Sequence, residues 1–200
     1  MNEKISLGIK LAVVSGFILS IAVFFMTFLD LYPLDIESAL SGVDIINLPD
    51  KMKEYSNIFN MISLVVPNLI ISIENGLIII SRCLIAINII SILGAIFTLV
   101  IRKSRGFIAS IAAVIINISI LIFVSLRISN EINNAKETIG ATLERFINLF
   151  GVNITTTGNI EAVNLMGSGL KLWIGVQGLI IILSILGIIF RDKQTVNKTA

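Results

Sequence analysis

Apolar residues gather into four long runs, at 11–29, 83–101, 106–126 and 170–190, and every charged residue except Lys171 lies outside them. Each run has the roughly twenty residues a helix needs to cross a bilayer. Only Arg102-Lys103-Ser104-Arg105 separates the second run from the third. A connection that short can only be the turn of a membrane hairpin, and this hairpin organises the rest. The first run is longer than the roughly 7–15 apolar residues of a signal-peptide core, and Asp30-Leu31-Tyr32-Pro33 follows it in place of a small-x-small cleavage site. It is expected to be a retained anchor.

Two of the charged segments have a pattern of their own. Over 56–74, Ile58, Ile62, Val65, Leu69 and Ile73 follow the helical period, which predicts an amphipathic helix bent at Pro67 and leading toward the second span. It is expected outside or along the membrane surface, with Arg82 reaching to the boundary. Over 127–150, Ile132, Ala135, Ile139, Leu143, Phe146 and Phe150 do the same, so the third span is expected to run on beyond the membrane. The two stripes, Ile58, Ile62, Val65 and Leu69 with Ile132, Ile139, Leu143, Phe146 and Phe150, form the candidate interaction face. They can meet each other, lipid headgroups or another protein. At 152–163, β-forming residues flank Gly158-Asn159, the pattern of a short β-hairpin. The expected fold is therefore an all-α membrane protein. It is a single four-transmembrane-helix bundle over 1–200, with outer loops 30–82 and 127–169, spans 2 and 3 extended outside, and a small hairpin in the second loop.

Within the spans, Gly8, Ala12, Gly16 and Ser20 recur every four residues, a stripe that lets another helix approach closely, expected to pack within the molecule. Gly175, Gly178, Ser184 and Gly187 mark close contacts on span 4, where Gln177 is the strongly polar interior residue. Counted from the basic turn, Asn88 and Asn117 lie at nearly the same depth, which predicts an intramembrane polar pair hydrogen-bonded across the hairpin. Lys171 and Trp173 are expected to anchor span 4 at the interface.

Composition confirms the class and narrows the chemistry. The chain is 56% hydrophobic and 14% charged, far from the soluble norm of about a quarter charged. It has no histidine and one cysteine, Cys83, so it has no internal disulfide and almost no ligands for a zinc, haem or iron-sulfur centre. No metal or cofactor site is expected. The acids Asp30, Asp35 and Glu37 do not match the spacing of a calcium loop, and a solvated loop is the expectation there. Frequent Ile, Asn and Lys point to an AT-rich bacterial genome.

Basic residues lie at the N-terminus, in the turn 102–105 and after Phe190, and acidic ones in the two long loops. The positive-inside rule then places both termini and the turn in the cytoplasm of a multi-pass protein of the cell membrane, with the loops outside.

On Ser41-Gly42-Val43-Asp44, the tight basic turn and Gly167-Ser168-Gly169-Leu170-Lys171-Leu172-Trp173, the chain resembles a group of small bacterial four-span membrane proteins. Its layout is also similar to that of claudins and tetraspanins, which implies roles in adhesion, barrier formation or organising partners. Only topology carries over, since the chain lacks the paired cysteines of claudins and the Cys-Cys-Gly of tetraspanins.

Three function classes follow. The leading expectation is a non-enzymatic protein whose outer loops bind a membrane or extracytoplasmic partner, as accessory subunit, immunity protein or assembly scaffold; a homo-oligomer is the other association considered. The alternative is a subunit of an oligomeric channel or transporter, which would need polar residues at mid-depth. An intramembrane enzyme is disfavoured, because no span holds His, Asp, Glu or paired cysteines. The bilayer is the expected surrounding, and no nucleic-acid partner is expected.

Overall fold

The computed structural model describes residues 2–30, 39–54, 67–101, 104–148 and 166–196. Five α-helices and one two-stranded sheet make up these residues: α1 (Asn2–Ala22), a 3-10 turn (Val23–Phe25), β1 (Thr27–Asp30), β2 (Ala39–Ser41), α2 (Gly42–Glu54), α3 (Pro67–Val100), α4 (Arg105–Asn148) and α5 (Ser168–Val196). Four of the helices contain stretches long and apolar enough to cross a membrane, Ile5–Phe25, Asn75–Val100, Arg105–Asn130 and Ser168–Phe190. Their outward residues, among them Ile89, Ile96, Ile115, Ile122, Phe123 and Ile182, are large, apolar and exposed. An apolar perimeter of that extent belongs in lipid. The protein is an integral, multi-pass membrane protein built as an all-α four-helix bundle.

The bundle is organised by a heptad rule. The buried positions step by alternating threes and fours on every span: Ser6, Lys10, Val13, Phe17, Ser20 and Phe24 from α1 into the 3-10 turn; Ile80, Leu84, Ile87, Ser91, Gly94 and Thr98 on α3; Phe107, Ser110, Val114, Asn117, Leu121 and Val124 on α4; Leu170, Trp173, Gln177, Ile180, Ser184 and Gly187 on α5. This is the spacing that keeps one seam of a helix against its neighbours in a bundle of nearly antiparallel helices. The same rule corrects the expected stripe on α1. A four-residue repeat drifts around a helix, so Gly16 and Ser20 face α5 while Gly8 has open space around it.

The ends of the spans also differ from expectation. The first span begins earlier and stops at Phe25. Residues 27–29, expected as the end of the first span, instead leave it with Asp30 as β1 and pair antiparallel with β2, so the small sheet lies in the first loop. Phe24 and Phe28 turn inward there, with ring centroids 4.6 Å apart, and the chain follows them off the helix axis. The hairpin expected at 152–163 lies outside the described residues. The first loop, read as solvated, instead contains α2, docked against α3. Asp35 and Glu37 lie outside the described residues.

The second and third spans do extend beyond the bilayer. Pro67 is the first residue of α3, where its missing amide costs no helical hydrogen bond. From there the helix runs unbroken through Glu74-Asn75-Gly76 to Val100. At ~1.5 Å per residue α4 is about 66 Å long, roughly twice the hydrocarbon thickness. Ile58, Ile62, Val65 and Phe150 lie outside the described residues; Leu69 is in α3, and Ile132, Ile139, Leu143 and Phe146 are in α4.

Candidate functional site

Fixed contacts set the register of the four spans. On α3 and α4, the Thr98 and Ser110 hydroxyls bond each other across the hairpin, and Asn117 Nδ2 donates to Ser91 Oγ at 3.0 Å. Between α1 and α3, the Phe17 ring covers Gly94, where an added Cβ would stand 2.7 Å from it, and Lys10 Nζ donates to the Ile101 carbonyl at 2.7 Å. Lys10 thereby meets the carbonyl end of α3, where a cation is favoured. Between α4 and α5, the Phe107 ring lies on Gly187. Between α1 and α5, Gln177 Nε2 donates to Ser20 Oγ at 2.9 Å, and Ile180 rests on Gly16.

These pairings close on one another. Three residues on from Phe17 and three back from Gly94, Ser20 stands level with Ser91. Ten residues along α4 from Phe107 and ten back along α5 from Gly187, Asn117 stands level with Gln177. One layer of the bundle is therefore entirely polar, Ser20, Ser91, Asn117 and Gln177, one side chain per span, and each is 0–1% exposed. An apolar layer lies on either side: Phe17, Gly94, Val114 and Ile180 toward the basic turn, and Phe24, Ile87, Leu121 and Trp173 toward the loops. A second hydroxyl-bearing level, Thr98, Ser110 and Ser184 with Val13, lies about 10 Å from the first, two turns of helix.

The expected pairing of Asn88 with Asn117 is corrected by this register. Asn88 Nδ2 donates to the Leu84 carbonyl one turn back on its own helix, at 3.0 Å. Ser91 holds the seam position opposite Asn117, and its own hydroxyl is anchored on the Ile87 carbonyl at 2.9 Å. A serine in an apolar run is an easy residue to pass over, because its hydroxyl is commonly satisfied by its own helix. The heptad spacing of Leu84, Ile87, Ser91, Gly94 and Thr98 was the available signal. The polar layer is also incompletely satisfied: Asn117 Oδ1 and Gln177 Oε1 are buried without a hydrogen-bond partner. Each such group costs about 1–3 kcal/mol in a folded interior.

At the loop end of the bundle a second arrangement forms a cap. Ser41 and Asp44 make a reciprocal helix start: the Asp44 amide donates to Ser41 Oγ at 3.1 Å, and Asp44 Oδ2 accepts from both the Ser41 hydroxyl, at 2.6 Å, and the Ser41 amide, at 3.1 Å. The Ser41 hydroxyl, then the Ser41 amide, and then Lys51, 3.6 Å away, hold the Asp44 carboxyl below its ordinary value. Between them Gly42 lies against the Phe24 ring, where a Cβ would stand 2.6 Å from it. Pro49 takes one amide out of α2, and the carbonyl of nearby Ile46 accepts the Ser81 hydroxyl of α3 at 2.8 Å.

The far end of the second loop joins the same cap. The Gly167 amide donates to the Phe28 carbonyl at 3.0 Å, which ties that segment to β1. Gly167 and Gly169 both rest on the Thr27 main chain, too close for any side chain. Trp173, expected at the interface, is instead fully enclosed in an apolar cluster with Phe24, Phe28, Ile45, Leu84 and Leu121. Thus two of the three motifs that carry the four-span resemblance, Ser41–Asp44 and Gly167–Trp173, are packing devices of this cap. Among the described residues no group of three His, Cys, Asp or Glu side chains gathers as a metal site would need.

Comparison of the chain with protein-family models, with curated proteins and with solved structures found no match in any of the three. The assignment as a four-span integral membrane protein rests on the chain's own length, hydropathy and packing.

Proposed function

We propose that this is a non-enzymatic membrane protein whose loop end is a protein-interaction surface, serving as an accessory subunit, an immunity protein or an assembly scaffold. The observation that carries the reading is the cap. Ser41–Asp44 fixes the start of α2, Ser81–Ile46 fastens α2 to the second span, and Gly167–Phe28 ties the residues that lead into the fourth span to β1. A surface held that firmly can present fixed side chains at little ordering cost. Beside it α4 continues about 27 Å past Asn130. Both helices that carry residues of the candidate face continue on this side of the bundle, with Leu69 on α3 and Ile139 on α4. The charge distribution favours a loop end outside the cell membrane and cytoplasmic termini.

Two measurements test this. In a Cys83→Ser background, an impermeant thiol reagent should label Asn47→Cys from outside and spare Ser104→Cys; the reverse inverts the topology. A photo-crosslinking side chain at Asn47 or Asp50, both exposed on α2, should give one discrete adduct in cells, whereas one at lipid-facing Ile122 gives none. A purified ring with ion conductance and no adduct would replace this reading by the channel-subunit one.

A further inference from the structure

Asn88 stands off the bundle seam but at the middle of the membrane. It lies 13 residues from one end of the span Asn75–Val100 and 12 from the other, about 18–20 Å each way. Its side chain is half-buried, and the Leu84 carbonyl is its one hydrogen-bond partner among the described residues. A carboxamide has two N–H donors and an oxygen that accepts twice. One proton and the oxygen are therefore uncommitted, at a depth where acyl chains offer no partner and headgroups are out of reach. Asn117 Oδ1 is unpartnered and enclosed, whereas Asn88 Oδ1 is unpartnered and not enclosed.

The surface around Asn88 is a second heptad seam. Ile85, Asn88, Ile92, Ala95 and Leu99 step along α3 by alternating threes and fours, about a quarter-turn round from the seam that packs the bundle. Ile85, Ile92 and Leu99 are 42%, 47% and 50% exposed. Ser81, one heptad before Asn88, continues this seam toward the loops, and there α2 covers it through the bond from the Ser81 hydroxyl to the Ile46 carbonyl. From Ile85 to Leu99 no segment does. We propose that this face is the two-fold interface of a homodimer, α3 against α3, in which the Asn88 side chains of the two copies bond each other. Copies of one chain inserted with the same topology bring Asn88 to equal depth. The carboxamide is also its own complement, since the second N–H of each can donate to the Oδ1 of the other. A single asparagine in an otherwise apolar seam is the device that fixes register in two-stranded coiled coils. Ser119, the outward hydroxyl of α4, is no substitute partner: its proton is committed to the Ile115 carbonyl, so it has none for Asn88 Oδ1. The dimer does not depend on what the loop end binds.

Full-length protein in phosphatidylcholine vesicles provides the test. In a Cys83→Ser background, mild oxidation should join two copies through Ile92→Cys, on the seam, and not through Leu93→Cys, which is similarly exposed but off it. Energy transfer between labelled copies, followed against the protein-to-lipid ratio, should report a dimer that Asn88→Leu weakens roughly 5–10-fold, the loss implied by two membrane hydrogen bonds of ordinary strength. The oxidation result stands even if Asn88→Leu does not fold. A protein that is monomeric at every ratio overturns the proposal. So do equal joining through both cysteines, which means random collision, and a dimer indifferent to Asn88→Leu. A monomer recovered with a different membrane protein crosslinked at Ile92→Cys also overturns it and assigns the seam to that partner.

Discussion

Asn117 on α4 reaches Ser91 on α3, at 3.0 Å from Nδ2 to Oγ, and Asn88 is left to bond its own helix. The hairpin is thus in register at Ser91, one turn nearer the basic turn than equal depth of the two asparagines suggested. In a Cys83→Ser background, cysteines at 91 and 117 should be joined by a short crosslinker well before cysteines at 88 and 117. Equal rates would mean the register slides. Replacing Ser91 by Ala takes the hydrogen-bond partner from the buried Asn117 Nδ2 and should lower stability by about 1–3 kcal/mol.

The glycines of the spans divide into two kinds. Gly94 and Gly187 are covered by the rings of Phe17 and Phe107, while Gly178 has nothing within 4 Å. Gly94→Ala should therefore destabilise the bundle by about 1–3 kcal/mol through overpacking. Gly178→Ala should be neutral or stabilising, by up to about 1 kcal/mol, from helix propensity alone. Thermal denaturation in one detergent, both variants side by side, checks the contrast; equal losses would show that the ring contacts are not tight.

The cap should loosen without the spans. A Cβ at Gly167 would run into the Thr27 carbonyl, which is main chain and cannot rotate aside. Gly167→Ala is expected to speed hydrogen exchange in β1 and α2 and leave the amides of α4 between Phe107 and Val124 unchanged. Protection lost equally in both regions would mean that cap and bundle unfold as one unit.

Acid should open the start of α2. The folded-state pKa of Asp44 is depressed, first by the Ser41 hydroxyl. Its contribution is present above the unfolded carboxylate pKa, near 3.9, and is lost as pH falls through the lower folded value. Exchange of the α2 amides, corrected for intrinsic rate, should rise across that window. Asp44→Asn should show the raised exchange already at neutral pH and no further step on acidification.

How far the sequence alone reaches is clear from particular residues. Span number, the hairpin turn at 102–105 and the continuation of the second and third spans beyond the bilayer follow from hydropathy and helical period, because lipid leaves the backbone few alternatives to a helix. Trp173 carries the opposite lesson. By composition it is an interfacial anchor, and only the approach of Phe24, Phe28 and Leu121 from other segments encloses it. Ser91 is likewise indistinguishable from any helix-satisfied serine until α4 lies beside it. The first loop was read as solvated because its β1–β2 pairing and its α2 docking depend on partners distant in the chain. The sequence by itself determined which segments enter the membrane, through a local free energy of transfer summed residue by residue. Which polar side chains meet inside, and that four of them share one level, was decided by the register of the packed helices, a relation between segments that no single segment contains.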